Sequence, residues 1–439
     1  MVSSLLKKLL MWKLGLFARL TLRRYEPGVI AVTGSVGKTS TKEAIRAVVA
    51  RAHHVRAAAK SFNNEIGVPL TILGDWEESG GILFWFRVFL TALANLVVRN
   101  SSYPEALVLE YAIDRPGDMD RLVRIAPPDL AVFTAMGDVP VHVEFFSGPE
   151  AVLHEKVKLV KALKADGFAI LNVDDPKVAG VGDLTRGHVV TYGFREGADV
   201  RLVNFKNHCK GSEASVHFKL AHDSTVVPVS IPGALGRAEV YAAGAAAAVG
   251  LVFGMNLVEI AGALETYVPP SGRFRVLSGM KDTALIDSTY NASPLSMEEA
   301  LETLKNLNAS RKIAVLGDML EIGKFTLPAH EELGKRVAKS AGILVTVGHR
   351  AKFIAEGALR AGMAKAKVHS FLTLEETGHY LEGVLKAGDL VLFKASQGVR
   401  LERVLKLFLA EPARIEELLV RQDAKWFREK GLYDEGELS

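Results

Sequence analysis

The sequence predicts an α/β protein in which two α/β units follow one another, the first around a mostly parallel sheet and the second Rossmann-like. Three observations predict this fold class. Short apolar runs rich in β-branched residues alternate with helical patterns from Gly28 onward. The stretch Pro269-Pro270-Ser271-Gly272 is typical of a linker. After that linker a second alternating series begins, which indicates a second unit.

The first series contains candidate strands that are short, apolar and bounded by Asp, Pro or Gly, as buried parallel strands are. They are Val29 to Thr33, Ala106 to Leu109, Leu130 to Thr134 and Phe168 to Leu171. A helix is predicted over Lys42 to Val49, and an Ala-rich, closely packing helix over Tyr241 to Val252. Residues 198–231 alternate apolar and polar residues between polar turns, which predicts an antiparallel β segment.

The second series predicts four more strands, at Thr283 to Ile286, Lys312 to Leu316, Ile343 to Val347 and Leu390 to Phe393. The chain from Glu411 is rich in charge and predicts a helix that ends in an acidic tail. We therefore expect four segments, which are a basic, apolar N-terminal helix at 1–27, a central domain at 28–270, a C-terminal domain at 271–410, and a charged helix or tail at 411–439.

Composition excludes several classes of protein. Apolar residues make up 49% of the chain and charged residues 24%, which rules out disorder over most of its length. The 54 basic residues exceed the 50 acidic ones by too small a margin for a dedicated nucleic-acid-binding protein. Cys209 is the single cysteine, so an internal disulfide is impossible and the reducing cytoplasm is the expected compartment. The sequence predicts no oligomeric state.

The strongest motif is a glycine loop between the first strand and the first helix, with the sequence Thr33-Gly34-Ser35-Val36-Gly37-Lys38-Thr39-Ser40. In such a loop the glycines let backbone N–H groups face phosphate oxygens, and the helix N-terminus favours negative charge. Lys38 supplies a cation for the β- and γ-phosphates, and Thr39 a hydroxyl for Mg²⁺. The usual motif has four residues between its glycines, whereas Gly34 and Gly37 enclose two. The first unit is therefore predicted to be a P-loop ATPase domain.

The shortened loop resembles the ATP loop of the Mur ligases, which join an amino acid or peptide to a carboxylate. Further segments resemble that family in the same order along roughly residues 28 to 405. They are Asn63-Asn64 with Gly67 and Pro69, Glu110 with Pro116-Gly117, His142-Val143-Glu144-Phe145-Phe146, Asn172-Val173-Asp174-Asp175-Pro176, Gly272-Arg273, Asp287 with Asn291 and Pro294, Gly317-Asp318 with Glu321, His330, and Lys394 with Ser396. An ordered series of this length is far more specific than any one motif.

The resemblance implies an ATP-dependent, ADP-forming ligase in which a carboxylate is first phosphorylated and an amine then displaces phosphate. It assigns ATP binding to Gly34, Ser35, Val36, Gly37, Lys38, Thr39, Ser40, Arg273 and Asp287. One Mg²⁺ is expected on Thr39 and Glu110, since hard oxygen ligands suit that ion, and a second on His142. Lys156 falls where the family has a carbamylated lysine. Lys38, His142 and Lys156 are therefore the candidate catalytic residues.

The resemblance also places substrate-binding residues in both units. They are Asn63, Asn64, Asn291, Asp318, Glu321, His330, Lys394 and Ser396. For Asp318 and Glu321 a second interpretation is open, because carboxylates three residues apart on a turn can simply favour a helix N-terminus.

Several departures from the family pattern bear on specificity. Lys158 follows Lys156 where the family has Lys-Gly-Glu, and Ser288 stands where a second aspartate is usual. The stretch from Gly233 to Glu239 lacks the family's His and Asn, so phosphate binding is better supported than adenine binding. Only 33 residues precede Gly34, fewer than the family's usual N-terminal domain for a UDP-sugar, so we expect either that the nucleotide-sugar is held otherwise or that the substrate is a different carboxylate.

The member that the motifs resemble most adds D-alanyl-D-alanine to a UDP-muramoyl-tripeptide in peptidoglycan precursor synthesis, and we expect that reaction. Two alternatives stay open. One is a ligase of this type that acts on another carboxylate, such as a polyglutamate or a different cell-wall peptide. The other is a non-catalytic nucleotide-binding subunit, against which the intact Lys38, Thr39, Glu110 and His142 argue.

Two apolar segments raise the question of a membrane. Residues 1–27 combine leucines with Lys and Arg and carry no acid before Glu26. Gly80 to Val98 holds one charge, Arg87, and is near the ~20 residues that span a bilayer. A single membrane crossing would put Lys38, which precedes this segment, and Glu110, which follows it, on opposite sides of the membrane. Both residues must reach the same phosphates. We therefore expect a helix that is buried or lies in the membrane interface, and we predict peripheral affinity for anionic membrane.

Overall fold

The structure, a computed structural model, describes residues 4–58, 62–76, 80–422, 426 and 431–433. Its helices are α1 (Ser4–Tyr25), α2 (Lys38–Val49), α3 (Gly67–Leu73), α4 (Ile82–Val97), α5 (Asp118–Ile125), α6 (Pro149–Lys161), α7 (Pro176–Ala179), α8 (Arg237–Val252), α9 (Leu257–Leu264), α10 (Pro294–Asn306), α11 (Thr326–Val337), α12 (Lys352–Arg360), α13 (Leu374–Val384), α14 (Glu402–Leu405) and α15 (Ile415–Leu418).

Its strands are β1 (Gly28–Thr33), β2 (Val55–Ala57), β3 (Ala106–Glu110), β4 (Leu130–Phe133), β5 (Phe168–Asn172), β6 (His188–Gly193), β7 (Val200–Lys210), β8 (Glu213–His222), β9 (Thr225–Pro232), β10 (Arg275–Gly279), β11 (Thr283–Ser288), β12 (Arg311–Gly317), β13 (Ile343–Val347), β14 (Val368–Phe371) and β15 (Asp389–Lys394).

The first sheet has the strand order β2-β3-β1-β4-β5-β6-β7-β8-β9. Its strands run parallel from β2 to β7, and β7, β8 and β9 pair antiparallel. The antiparallel segment predicted at 198–231 is therefore confirmed. Val32 on β1 lies opposite Glu110 on β3, and Thr33 lies opposite Phe133 on β4. The carboxyl ends of these strands thus meet at one edge, where α/β sheets place their ligands.

The second sheet has the order β10-β11-β15-β12-β13-β14. Only β10 pairs antiparallel, and the other neighbours are parallel. Lys394, the last residue of β15, lies opposite Ser288 on β11 and Leu316 on β12. Polar residues that follow these strands are thereby brought to one edge of this sheet as well.

Both sheets are covered by helices, and their apolar cores meet. The Ala-rich α8 packs against α2 on one face of the first sheet, since its small side chains allow close approach. One buried apolar cluster contains Phe133 and Leu171 from the first sheet together with Ile286 and Leu316 from the second. The two sheets therefore share a continuous core, which fixes the two strand edges relative to each other.

The strands that the sequence did not predict are β2, β6, β10 and β14. Of these, β2, β10 and β14 are edge strands of their sheets, and the first residues of β6 are exposed. Such strands are only partly buried, so they lack the continuous apolar run of a central strand. The predicted helix after Glu411 is limited to Ile415–Leu418 in the described residues, and most of the tail beyond Gln422 lies outside them.

The predicted N-terminal helix is present as α1, which packs against α3 and α4 around Leu14, Leu70 and Val88. The burial expected for α4 is wrong for most of the helix, because Val88 and Ala92 alone are buried. Across the described ranges, no helix is long and apolar enough to cross a membrane.

Candidate active site

The glycine loop turns sharply between β1 and α2. Gly34 has φ of +139°, and a Cβ at this position would lie 2.0 Å from the Thr134 hydroxyl, so a larger residue would force the loop outward. The N–H of Ser35 donates to the backbone oxygen of Ala135 at 2.6 Å, which ties the loop to the end of β4. The first turn of α2 leaves N–H groups without helical partners. The loop can therefore bind phosphate at this helix N-terminus.

Two lysines converge on the loop. Lys38 Nζ donates to the Gly34 backbone oxygen at 2.9 Å, and Lys156 Nζ, from α6, donates to the same oxygen at 3.0 Å. Burial lowers the pKa of Lys38, and the Glu110 carboxylate offsets part of that effect. Burial, with repulsion from Lys38, lowers the pKa of Lys156 well below its usual range. An amine with a lowered pKa is more often neutral and hence nucleophilic.

Glu110 is the buried carboxylate beside the loop. Its Oε2 accepts a hydrogen bond of 3.0 Å from the Thr39 hydroxyl, and its Oε1 accepts one of 3.2 Å from Asn63. Burial alone would raise the pKa of Glu110, but the charges of Lys38, Lys42 and Arg273 outweigh it, so the pKa lies below its usual value. Glu110 is therefore ionised at neutral pH.

These donors fit Mg²⁺ of the kind that phosphates help to hold. A carboxylate and a hydroxyl 3.0 Å apart are hard oxygen ligands, and Mg²⁺ in nucleotide sites uses one or two protein ligands with phosphate oxygens and water. In the described part of the chain no three His, Cys, Asp or Glu side chains cluster as a complete metal site. Thr39 and Glu110 can thus supply part of a coordination shell that a nucleotide completes.

Arg273 joins the two sheets at this point. Its guanidinium donates to the Thr39 hydroxyl at 3.0 Å and lies 3.9 Å from the centre of the Tyr290 ring. The residue follows the predicted linker, so this cation approaches the loop from the second unit. Arginine is suited to phosphate because its planar fork matches two oxygens at once.

His142 also links the two units. It has a left-handed backbone with φ of +67°, and its Nδ1 lies 2.9 Å from Glu321 Oε2 while its Nε2 lies 3.5 Å from Asp114 Oδ1. The interaction with His142, opposed by burial, lowers the pKa of Glu321. A second metal on His142 stays a prediction.

Lys394 and Ser396 lie at the edge of the second sheet. Lys394 Nζ donates to the Ser288 hydroxyl and to the Asn291 backbone oxygen, both at 3.0 Å. Burial lowers the pKa of Lys394 to about 7. The Ser396 hydroxyl accepts from the Leu320 N–H at 2.9 Å. These contacts orient both side chains toward the space between the sheets.

A cavity of about 680 Å³ between the two sheet edges collects most of the predicted site. Predicted residues that line it are Ser35, Val36, Gly37, Lys38, Asn63, Glu110, His142, Arg273, Asn291, Glu321, Lys394 and Ser396. A neighbouring cavity of about 1490 Å³ is lined by Thr39 and by the linker from Val268 to Ser271, and both cavities share Arg273. Substrates that occupied both spaces would meet at the glycine loop.

Seven predicted residues do not line these cavities, namely Gly34 and Lys156, whose contact is described above, and five others. Asn64 holds the turn that leads into α3, because its Oδ1 accepts from the N–H groups of Ile66 and Gly67. Ser40 donates to the buried Glu239 at 2.8 Å, which ties α2 to α8. The other three, Asp287, Asp318 and His330, belong to the second unit.

Asp287 is fully buried and holds the linker. Its oxygens accept hydrogen bonds from the Gly272 N–H at 2.9 Å and from the Thr289 hydroxyl at 2.7 Å. Burial raises its pKa. Asp287 thus positions Arg273 through the neighbouring Gly272. A contact between Asp287 and the ribose of ATP stays a prediction.

Asp318 and His330 support the loop that carries Glu321. Asp318 accepts from the Ala351 N–H, at the start of α12, at 2.7 Å and also from the Tyr433 hydroxyl. The first contact agrees with the interpretation in which this carboxylate favours a helix N-terminus. His330 Nε2 accepts from the Met319 N–H at 3.0 Å, and its Nδ1 lies 2.6 Å from the Thr326 oxygen. Burial lowers the pKa of His330, in keeping with a neutral ring.

Comparison with known proteins decides the family. The Mur ligase middle domain matches residues 32–80 and 90–250, and the Mur ligase glutamate ligase domain matches residues 272–397. These matches cover most of the chain. The chain belongs to the Mur ligase family. The resemblance predicted from the motifs is thereby confirmed.

Two relatives of this Mur ligase carry the same name. The UDP-N-acetylmuramoyl-tripeptide–D-alanyl-D-alanine ligase of Bacillus subtilis (strain 168) is 30% identical over 399 residues, which are 90% of this chain and 79% of that protein. The ligase of the same name from Mycobacterium leprae is 31% identical over 409 residues, with 88% and 74% covered.

Solved structures confirm the predicted fold class. MurF from Thermotoga maritima in complex with ADP aligns with a TM-score of 0.74 at 27% identity, covering 93% of this chain and 84% of that one. MurF from Acinetobacter baumannii aligns with a TM-score of 0.74 at 25% identity, covering 90% and 79%.

Three residues of this Mur ligase site were missed in the sequence. Asp114, beside His142, follows β3 by four residues, which is a position where ligand-binding groups are common. Tyr290 lies under Arg273, and its place directly before the predicted Asn291 is the signal that could have found it. Glu239 is buried and accepts from Ser40 and from the Tyr267 hydroxyl at 2.7 Å, and only its place on an Ala-rich helix could have indicated burial.

Proposed function

We propose that this Mur ligase joins D-alanyl-D-alanine to a UDP-muramoyl-tripeptide, with ATP converted to ADP and phosphate. The observation that carries the proposal is the meeting of Thr39, Glu110 and Arg273, which brings phosphate-binding groups from both units to one point. The names of its relatives, at 30 and 31% identity over most of the chain, support the same substrates.

The first chemical step is phosphoryl transfer. An oxygen of the tripeptide carboxylate attacks the γ-phosphorus of ATP, the bond to the β-phosphate oxygen breaks, and ADP leaves. Negative charge spreads over the transferring group, so nearby cations stabilise it. Lys38 supplies such a charge from the glycine loop itself, and Arg273 supplies another from the second unit. Mg²⁺, when bound at Thr39 and Glu110, would neutralise phosphate charge.

The second step forms the amide bond. The amine of the dipeptide attacks the acyl carbon, phosphate leaves, and the nitrogen loses a proton. Lys394, Ser396 and Glu321 belong to the second unit and line the same cavity. We propose that these residues hold the incoming peptide and that the Glu321–His142 pair aligns it. The reaction belongs in the cytoplasm, where ATP is available and Cys209 stays reduced.

A substrate panel tests this proposal. The purified protein is incubated with ATP, Mg²⁺, a UDP-muramoyl-tripeptide and D-alanyl-D-alanine, and ADP release and product mass are followed while each component is omitted in turn. We expect product and ADP only when all components are present. Turnover with a glutamyl acceptor instead would assign another carboxylate, and ATP binding without turnover on any acceptor would indicate a non-catalytic subunit.

The Glu110→Gln variant is the specific control. It keeps the shape of the side chain and removes the charge beside Thr39, so it should bind the peptide substrate and lose ligation. The matched variant Glu259→Gln changes an exposed capping residue on α9 and should react at the wild-type rate.

A further inference from the structure

An apolar surface on α4 takes no part in the proposed reaction. Its exposed large side chains are Ile82, Leu83, Phe86, Leu90, Leu93 and Val97. They recur every three or four residues and so form one stripe along the helix. Ile82 is 91% exposed and Phe86 62%. Single exposed apolar residues are ordinary on a protein surface, but here six of them lie together. A contiguous stripe of this length indicates an interaction surface.

Helix α1 lies beside α4 and extends this surface. The rings of Phe17 and Phe89 are 5.5 Å apart, and the Tyr25 hydroxyl donates to the Asn95 backbone oxygen at 2.8 Å. The first contact joins the middle of α1 to the middle of α4, and the second joins residues near both C-terminal ends. The two helices therefore run in the same direction. The exposed large apolar side chains of α1 are Leu6, Leu9, Trp12 and Leu20. We refer to these residues and the α4 stripe as the α1–α4 surface.

The charged residues on α1 and α4 themselves are all basic. Exposed cations on the two helices are Lys7, Lys8, Lys13, Arg23, Arg24 and Arg87. Neither Ser4–Tyr25 nor Ile82–Val97 contains an aspartate or a glutamate. Cations that border an apolar, aromatic stripe match the chemistry of an anionic lipid surface, where phosphates lie above hydrocarbon.

We infer that the α1–α4 surface binds anionic membrane, with the apolar stripe in the headgroup region and the lysines and arginines on lipid phosphates. The 16 residues of α4 extend about 24 Å, which is less than the ~30 Å of a bilayer core, so the helix lies along the membrane. A second copy of this chain is a poorer occupant, because two such surfaces would bring like charges together.

Vesicle co-sedimentation of the full-length protein tests this inference. Vesicles of phosphatidylcholine alone are compared with vesicles containing about one third phosphatidylglycerol, at low salt and at about 0.5 M salt. We expect binding to the anionic vesicles at low salt, and binding about tenfold weaker or more when either the anionic lipid or the low salt is removed.

Two variants separate the apolar and the charged contributions. Phe86→Glu with Leu90→Glu introduces charge into the stripe, and Lys7→Glu with Lys8→Glu and Lys13→Glu reverses the cations. Each set should weaken vesicle binding at least about tenfold. The matched control Val258→Glu alters a side chain of α9 that is 67% exposed, and it should bind vesicles as the wild type does. Thermal melting and ATP binding verify that each variant is folded.

Three results would overturn the inference. They are failure of the wild type to sediment with anionic vesicles at low salt, wild-type vesicle binding by both variant sets, and a wild-type dimer that dissociates in the Phe86→Glu, Leu90→Glu variant. The last result would assign the surface to a contact between two copies of the chain.

Discussion

The side-chain nitrogen of Lys156 lies 3.0 Å from the backbone oxygen of Gly34, across 122 residues of sequence. This contact brings α6 under the glycine loop. Lys156 is almost fully buried, and burial lowers its pKa well below the usual range. Its amine is consequently far more often neutral than that of a surface lysine, and a neutral amine reacts with CO₂ to give a carbamate. Carbamylation of Lys156, which the family resemblance implies, stays a prediction that a neutral amine would permit.

Replacing Lys156 with alanine should remove this group from the site. We expect kcat/KM for ligation to fall by about 100-fold or more, since the carbamate oxygens that would help to hold Mg²⁺ beside the transferring phosphoryl group would be lost. Small carboxylates such as acetate, added at high concentration, should restore part of the activity. Steady-state kinetics with and without acetate measure both effects.

Lys161→Ala is the matched control, because Lys161 is exposed at the end of the same helix. It should react at the wild-type rate. A fully active Lys156→Ala variant would show that the contact with Gly34 is structural.

Lys38→Ala should abolish turnover while the fold persists. The side chain donates to the Gly34 oxygen, so its loss leaves the core intact, but it removes the cation that faces the β- and γ-phosphates. We expect a loss of about 1,000-fold or more in kcat/KM for ATP. ATP should no longer raise the melting temperature, whereas an Arg51→Ala variant, which changes an exposed residue just after the same helix, should behave as the wild type. Turnover near the wild-type rate would place the nucleotide elsewhere.

Lys394 predicts a pH dependence of stability. The folded protein releases the Lys394 proton at about pH 7, whereas the unfolded chain keeps it up to about pH 10.4. The unfolded state thus binds more protons between these values, so the free energy of unfolding rises with pH across that window. Lys394→Met should remove up to about 1.4 kcal/mol of this rise per pH unit.

Urea unfolding of the ligand-free wild type and the Lys394→Met variant, from pH 6 to about pH 9, measures the difference between the two proteins. We expect the two free energies of unfolding to diverge above pH 7. Parallel pH profiles would mean that Lys394 is protonated throughout.

His330→Ala should act mainly on stability. The change leaves the buried Met319 N–H without its partner and removes the contact with the Thr326 oxygen, which costs about 1–3 kcal/mol. Below the melting transition, kcat should change only a few-fold. Chemical denaturation and kinetics at low temperature separate the two effects. Unchanged stability together with lost activity would assign His330 to substrate contact.

The sequence allowed the local features of this protein to be predicted. The loop from Thr33 to Ser40 depends on neighbouring residues, because a β-rich run, two glycines and a helix start are adjacent in the chain. Central strands such as β13 appear with the predicted bounds because they are buried on both sides and therefore continuously apolar. Edge strands were missed because partial exposure interrupts that pattern.

Features that depend on contacts far apart in sequence could not be predicted in this way. The polar sequence around Asp318 and His330 is equally compatible with substrate binding and with support of a loop, and only the structure shows that both side chains are buried against backbone groups. The apolar sequence of α4 likewise predicted a helix but not its exposed stripe, since burial depends on which elements pack against it.

Transfer of oxygen from the carboxylate substrate to phosphate tests the acyl-phosphate route most directly. A UDP-muramoyl-tripeptide whose acceptor carboxylate carries ¹⁸O at both oxygens is ligated with ATP, and the mass of the released phosphate is measured. Attack of the carboxylate on the γ-phosphorus, followed by loss of phosphate to the amine, predicts one ¹⁸O atom in each phosphate. Unlabelled phosphate, or release of AMP and pyrophosphate, would contradict the acyl-phosphate route assigned to this site.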